Sequence, residues 1–77
     1  MKIEDRYLKF VLWSDEDHLY VGYCPDLFPW GGVCHGHDEE QTYAQLRALV
    51  QEEIEELSAA GKDLPIPATR AMREAVV

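Results

Sequence analysis

Cys24, Cys34, His35 and His37 are the side chains in this sequence with the widest chemical reach. All four are soft or borderline zinc ligands. Structural zinc sites pair them as C-x2-4-C and H-x3-5-H, and this chain has neither spacing. On a strand, neighbours such as Cys34 and His35 point to opposite faces, so the group is not expected to converge on a metal. A nucleophilic cysteine needs a thiolate stabilised by a nearby imidazole and an oriented base. Cys34 with His37 across Gly36 is the one pairing the spacing leaves open, and so short a chain has little wall from which to build a substrate cleft. Paired carboxylates are plentiful at Glu39-Glu40, Glu52-Glu53 and Glu55-Glu56. Catalytic pairs need environments that drive their pKa values apart, whereas these read as one solvated helical face. The acidic run Ser14-Asp15-Glu16-Asp17 lacks the alternating ligands, glycine and terminal glutamate of an EF-hand. The expectation is no metal, no cofactor, no catalytic residues and no enzyme.

Charge then limits the partners. Fifteen acidic against seven basic residues give a net charge of −8. Nucleic-acid affinity comes largely from Lys and Arg displacing counterions along phosphates, so direct binding to DNA, RNA or anionic lipid is not expected. A basic protein is the complementary partner, with solubility the plain alternative use of the acid. The N-terminus has no apolar leader and no run approaches a membrane span. Both readings point to the cytoplasm, where the cysteines stay as free thiols.

The chain has 77 residues, 47% hydrophobic and 29% charged, and reads as a single domain over 1–77. At this size folding buries only about 60% of the surface exposed by the unfolded chain. Small cores of this kind are often completed by a second copy, so a homodimer or higher homo-oligomer is expected.

Three segments read as strands. In Tyr7–Trp13, Leu8, Phe10 and Leu12 share one face while Tyr7, Lys9, Val11 and Trp13 share the other. Ser14–Asp17 forms a turn, since Ser and Asp hydrogen-bond their own backbone. His18–Cys24 is the second strand, with Leu19, Val21 and Tyr23 opposite Tyr20, Gly22 and Cys24, and Pro25 ends it. Val33–His35 is a short third strand, closed by Gly36. Asp38 caps a helix with Gln41 three residues on. Tyr43, Leu46, Val50, Ile54 and Leu57 form its apolar stripe, and Gly61 stops it. A helix over 39–60 is about 33 Å long. Leu64-Pro65-Ile66-Pro67 must be extended. The spacing of Ala71, Met72, Ala75 and Val76 in the tail leans to helix.

Gln45, Glu52 and Glu56 lie opposite the apolar stripe and are candidate contacts for a basic partner. Asp26, Phe28 and Trp30 in the loop after the second strand join them. Phe28 reads equally as core plug or partner anchor, and Trp30 more readily as core. Both faces of the first strand carry apolar residues, which suggests a helix on one side and another subunit on the other. Tyr7, Val11 and Trp13 are the candidate oligomer contacts. Leu49, a quarter-turn off the helical stripe, either widens the core or adds to that contact.

Taken in order, Leu19-Tyr20-Val21-Gly22-Tyr23-Cys24-Pro25-Asp26-Leu27, Gly36 before the capped helix, and Gly61-Lys62-Asp63-Leu64-Pro65-Ile66-Pro67 resemble the HicB-like antitoxin domain. That family's signature runs roughly Y-V-A-x-C-P-D-L-P-G, G-D-T-x-E-E-A and G-x-x-L-P-x-P. The resemblance covers Tyr7 to Pro67. Pro25, Asp26, Leu27, Pro29, Gly31, Gly36, Gly61, Leu64, Pro65 and Pro67 match. Asp38 stands for the threonine cap, Gln41 for the glutamate and Thr42 for the alanine. Phe28 and Trp30 are extra, which alters the loop that would meet a partner.

The resemblance implies an α+β fold of order β-β-β-α-β. One long helix would pack on one face of an antiparallel three- to four-stranded sheet, akin to part of ribonuclease H. It places a fourth strand in 68–77, and that expectation is preferred to the helical one because the strand would cover a sheet edge. It also implies an antitoxin that binds and neutralises a small basic RNA-cleaving HicA-type toxin. Many relatives add a C-terminal DNA-binding segment, for which these 77 residues are not expected to have room. The alternative is a stand-alone dimeric interaction module of the same fold with no toxin partner.

Overall fold

A computed structural model describes residues 1–69 of the chain. A 3₁₀ turn at Ile3–Arg6 leads into strands β1 (Phe10–Ser14), β2 (Leu19–Tyr23) and β3 (Cys34–Gly36), and then into helix α1 (Glu39–Ala59). The strands form one antiparallel sheet in the order β1-β2-β3, with the helix packed on one face. This is the expected α+β arrangement through β-β-β-α. Of the fourth strand expected over 68–77, Ala68 and Thr69 lie in no regular element, and the rest falls outside the described residues.

β1 starts later than the sequence pattern suggests, for a local reason. The Asp5 carboxylate accepts the Lys2 backbone N–H at 3.1 Å, and Tyr7 N–H donates to Glu4 O at 3.3 Å. The Lys9 ammonium then donates to the carbonyls of Glu4 and Tyr7. Polar groups that a strand would offer to a neighbour are satisfied within the turn. At the next connection, Asp17 N–H donates to Ser14 Oγ and His18 N–H to Ser14 O at 2.9 Å. His18 closes that turn in the left-handed region with φ +54°, so β2 begins one residue beyond it.

The register fixes the two faces. Val11, Gly22 and Cys34 sit side by side, as do Tyr20 and Gly36, while Leu12, Val21 and His35 form a row between them. The first two rows lie under the helix. A Cβ added to Gly22 would come within 2.9 Å of Cys34 Sγ and 3.3 Å of Leu46 Cβ; one added to Gly36 would stand 2.6 Å from Thr42 Oγ1. These two glycines therefore set how closely the helix approaches the sheet.

The helix carries its own end signals. Asp38 accepts Gln41 N–H at 2.8 Å, the expected cap. At the other end Gly61 adopts φ +70°, with Gly61 N–H donating to Ser58 O and Lys62 N–H to Leu57 O. That is the Schellman pattern, in which a left-handed residue lets the chain reverse onto its last carbonyls. Leu46, Val50 and Ile54 are buried and Leu57 packs beside them. Tyr43 departs from the expected stripe: it is 38% exposed, and Thr42, at 1%, faces the sheet instead. The gap over Gly36 suits a small side chain, and the ring of Tyr43 lies out beside Phe10 and Val11.

The buried apolar set is completed by Tyr7, Cys24, Leu27 and Cys34. The segment after the helix returns to the start of the chain: Tyr7 Oη donates to Pro65 O at 2.6 Å, and Ala68 N–H to Asp26 Oδ2 at 3.2 Å.

Gly36→Ala should destabilise the fold by about 1–3 kcal/mol, the usual scale for an overpacked contact. In a Thr42→Ala background the nearest remaining atom is Cβ, 3.8 Å away, so the added methyl should cost much less. Urea unfolding of the two single variants and the double would show this as a favourable coupling; strict additivity would contradict it.

Candidate functional site

The two thiols lie within the core. Cys24 is completely buried, and Cys34 nearly so with its Sγ 3.7 Å from Thr42 O. Burial pushes both thiols above their ordinary pKa, more than nearby backbone N–H groups pull them down. That is the opposite of the shift that activates a nucleophilic cysteine. His35 and His37 are exposed, while Cys34 points inward. Among the described residues no group of three or more His, Cys, Asp or Glu side chains could hold a metal ion.

The helix presents carboxylates on the side away from the sheet. Glu52, Glu55 and Glu56 line a shallow groove with Ala59. Gln45 is exposed on the same side, two turns toward the N-terminus. Residues 45, 52 and 56 share this side because the buried positions 42, 46, 50 and 54 take the other. Repelling carboxylates at this density favour a cation beside them, and the helical backbone holds them in fixed relative positions.

The three loop candidates are handled differently. Asp26 is half-buried and accepts Ala68 N–H, so it ties the returning segment to the loop. Phe28 packs against the core. Trp30, read from sequence as a core residue, is 72% exposed, its ring edge-on to Phe28 at 5.5 Å. Gly31, at φ +126°, turns the chain just after it. Phe28 and Trp30 thus form one aromatic step, half anchored and half presented.

The candidate oligomer contacts occupy the helix-covered side or the core. Tyr7 is only 4% exposed and bonded to Pro65 within its own chain, and Val11 and Leu49 pack against the core. Leu49 thereby takes the core-widening role. Trp13 is half exposed at the margin of this same face, edge-on to Tyr20 and donating to Asp15 Oδ1 at 2.9 Å. The open side of the sheet carries the other alternation instead: Phe10, Leu12, Leu19, Val21 and Tyr23. Alternation identified both faces correctly; it could not say which one the helix would choose. The deciding signal lies in Gly22 and Gly36, which share the face that admits the helix.

Sequence reading also passed over Glu4. This buried carboxylate accepts a hydrogen bond from Gln51 Nε2 at 2.7 Å and fastens the N-terminal turn to the helix. Among so many glutamates nothing in the sequence marks it, because its burial follows from a contact distant along the chain.

Comparisons with protein-family models, curated proteins and solved structures return no match to this chain.

The buried thiols have a consequence for stability. The folded state holds Cys24 and Cys34 protonated, whereas the unfolded chain ionises near the ordinary thiol value of 9.0. Above that pH the unfolded state binds fewer protons than the folded one, so stability falls as pH rises. Tyr7, raised by burial from 10.0, adds to the same trend at still higher pH. The melting temperature should decline from about pH 9 upward, and Cys24→Ala/Cys34→Ala should flatten the onset of that decline. An unchanged slope in the double variant would show that the thiols do not contribute.

Proposed function

We propose that this chain is an antitoxin-like protein that binds and neutralises a small basic RNA-cleaving toxin of the HicA type, without catalysis of its own. The observation that carries the reading is the separation of charge from apolar surface. Acid is concentrated on the outer side of α1 around Glu52, Glu55 and Glu56, where a cationic RNA-binding surface would find complementary potential. The order of the loop, cap and closing-turn motifs, which resembles HicB-like domains, supports the same reading.

On this reading the helix acts as an RNA mimic in charge alone. Carboxylates along a rigid rod compete for the lysines and arginines a ribonuclease uses to hold phosphate. The exposed Trp30, braced by Phe28, supplies an aromatic anchor of the kind that often dominates interface energy. Gln45 adds a neutral hydrogen-bonding group beside the acid.

The test is binding to, and protection from, a basic ribonuclease encoded beside this chain. Glu52→Lys/Glu56→Lys should weaken the complex about tenfold or more, chiefly through a slower on-rate, and the native complex should loosen as salt rises. Trp30→Ala should instead speed dissociation. A ribonuclease that cleaves RNA undiminished in the presence of excess native chain would reject the proposal.

A further inference from the structure

On the side of the sheet opposite the helix, the outward positions of the three strands carry no acidic residue. Phe10 stacks on Tyr23 at 5.1 Å across β1 and β2. Leu12, 55% exposed, stands beside Val21, and Leu19 continues the apolar surface. A depression of about 460 Å³ next to them is lined by Asp17 together with Leu19, Val21, Gly32 and His35. No Glu, Lys or Arg occupies an outward position of the three strands. Among the described residues no helix or strand packs on this side.

We propose that a second copy of this chain covers that face, the two sheets packing face to face. Charge selects this occupant. A chain of net charge −8 meets the least repulsion from its own copy through the surface poorest in acid. Sheet-to-sheet packing keeps the two acidic helices on the outer sides of the pair, with both sheets between them. A basic partner would find Asp17 alone among carboxylates in this depression and is directed to the denser acid of the helix instead.

The contact is isologous, as a closed dimer requires.

Three strands about 4.8 Å apart, each of five residues or fewer at about 3.4 Å, present a small patch. That is well below the roughly 800 Å² per partner of a standard interface, so a weak dimer that forms only as concentration rises is expected. The dimer does not depend on toxin neutralisation, and either can hold without the other.

Sedimentation equilibrium of the full chain from about 1 to 300 µM tests the proposal. The native protein should move from one to two times its 8.9 kDa chain mass across that range. Leu12→Glu should stay monomeric throughout, with a native far-UV spectrum because the side chain is already exposed. Leu12→Thr, which keeps strand propensity and decides the matter if the glutamate variant does not fold, should weaken association about tenfold. Glu52→Lys/Glu56→Lys should leave association in place. A native chain monomeric at every concentration would overturn the proposal, whether its own residues 70–77 or another protein covers the face. So would a dimer indifferent to both Leu12 variants.

Discussion

The structure depends on how closely one helix can approach one sheet. Gly22 and Gly36 have no side chains at the two places where Leu46 and Thr42 come down, and the distances leave no space for a methyl group at either. Everything else in the core is arranged around that approach. Cys34 fills the space beside Gly22, Val50 and Ile54 continue the helical contact, and Tyr7, Cys24 and Leu27 close the end where the chain returns. In a domain of this size the net stability is a small difference between large terms, so a contact that sets the separation of two layers governs many others.

Once the helix is seated on that face, the distribution of surface chemistry follows. Carboxylates at positions 52, 55 and 56 must face away from the sheet, and the alternate strand residues must face away from the helix. One side of the molecule is therefore acidic and helical and the other apolar and sheet-like. The proposed functions use these sides separately: the first for a basic ribonuclease, the second for another copy of the chain. A small protein can serve two partners in this way without either surface being compromised for the other.

Much of this was legible in the sequence. The capping Asp38, the stopping Gly61 and the stripe Leu46, Val50, Ile54 and Leu57 fix the helix to within a residue, because each acts locally. The pairing of β1 with β2 follows from the Ser14–Asp17 turn. What stayed hidden depends on contacts between distant residues. Tyr7 left the strand for the core because a 3₁₀ turn and Lys9 satisfied the carbonyls around it, and Thr42 displaced Tyr43 because of Gly36. Trp30, hydrophobic by type, lies exposed with its ring edge-on to Phe28, a placement its residue type does not signal. The candidate oligomer residues fell on the helix side because alternation defines two faces without ranking them. The acidic residues were visible at once as a class, yet only the fold distinguishes Glu4, which is bonded to Gln51, from those that meet solvent.

The most direct measurement is therefore which sheet face touches the helix. Nuclear Overhauser spectra of the protein in solution should connect the Leu46 side chain to the Gly22 α protons, and Thr42 to those of Gly36, with no cross-peaks from Leu46 to Leu12 or Val21. Contacts from Leu46 to Leu12 and Val21, with none to Gly22, would place the helix on the other face and contradict both the packing and the surfaces derived from it.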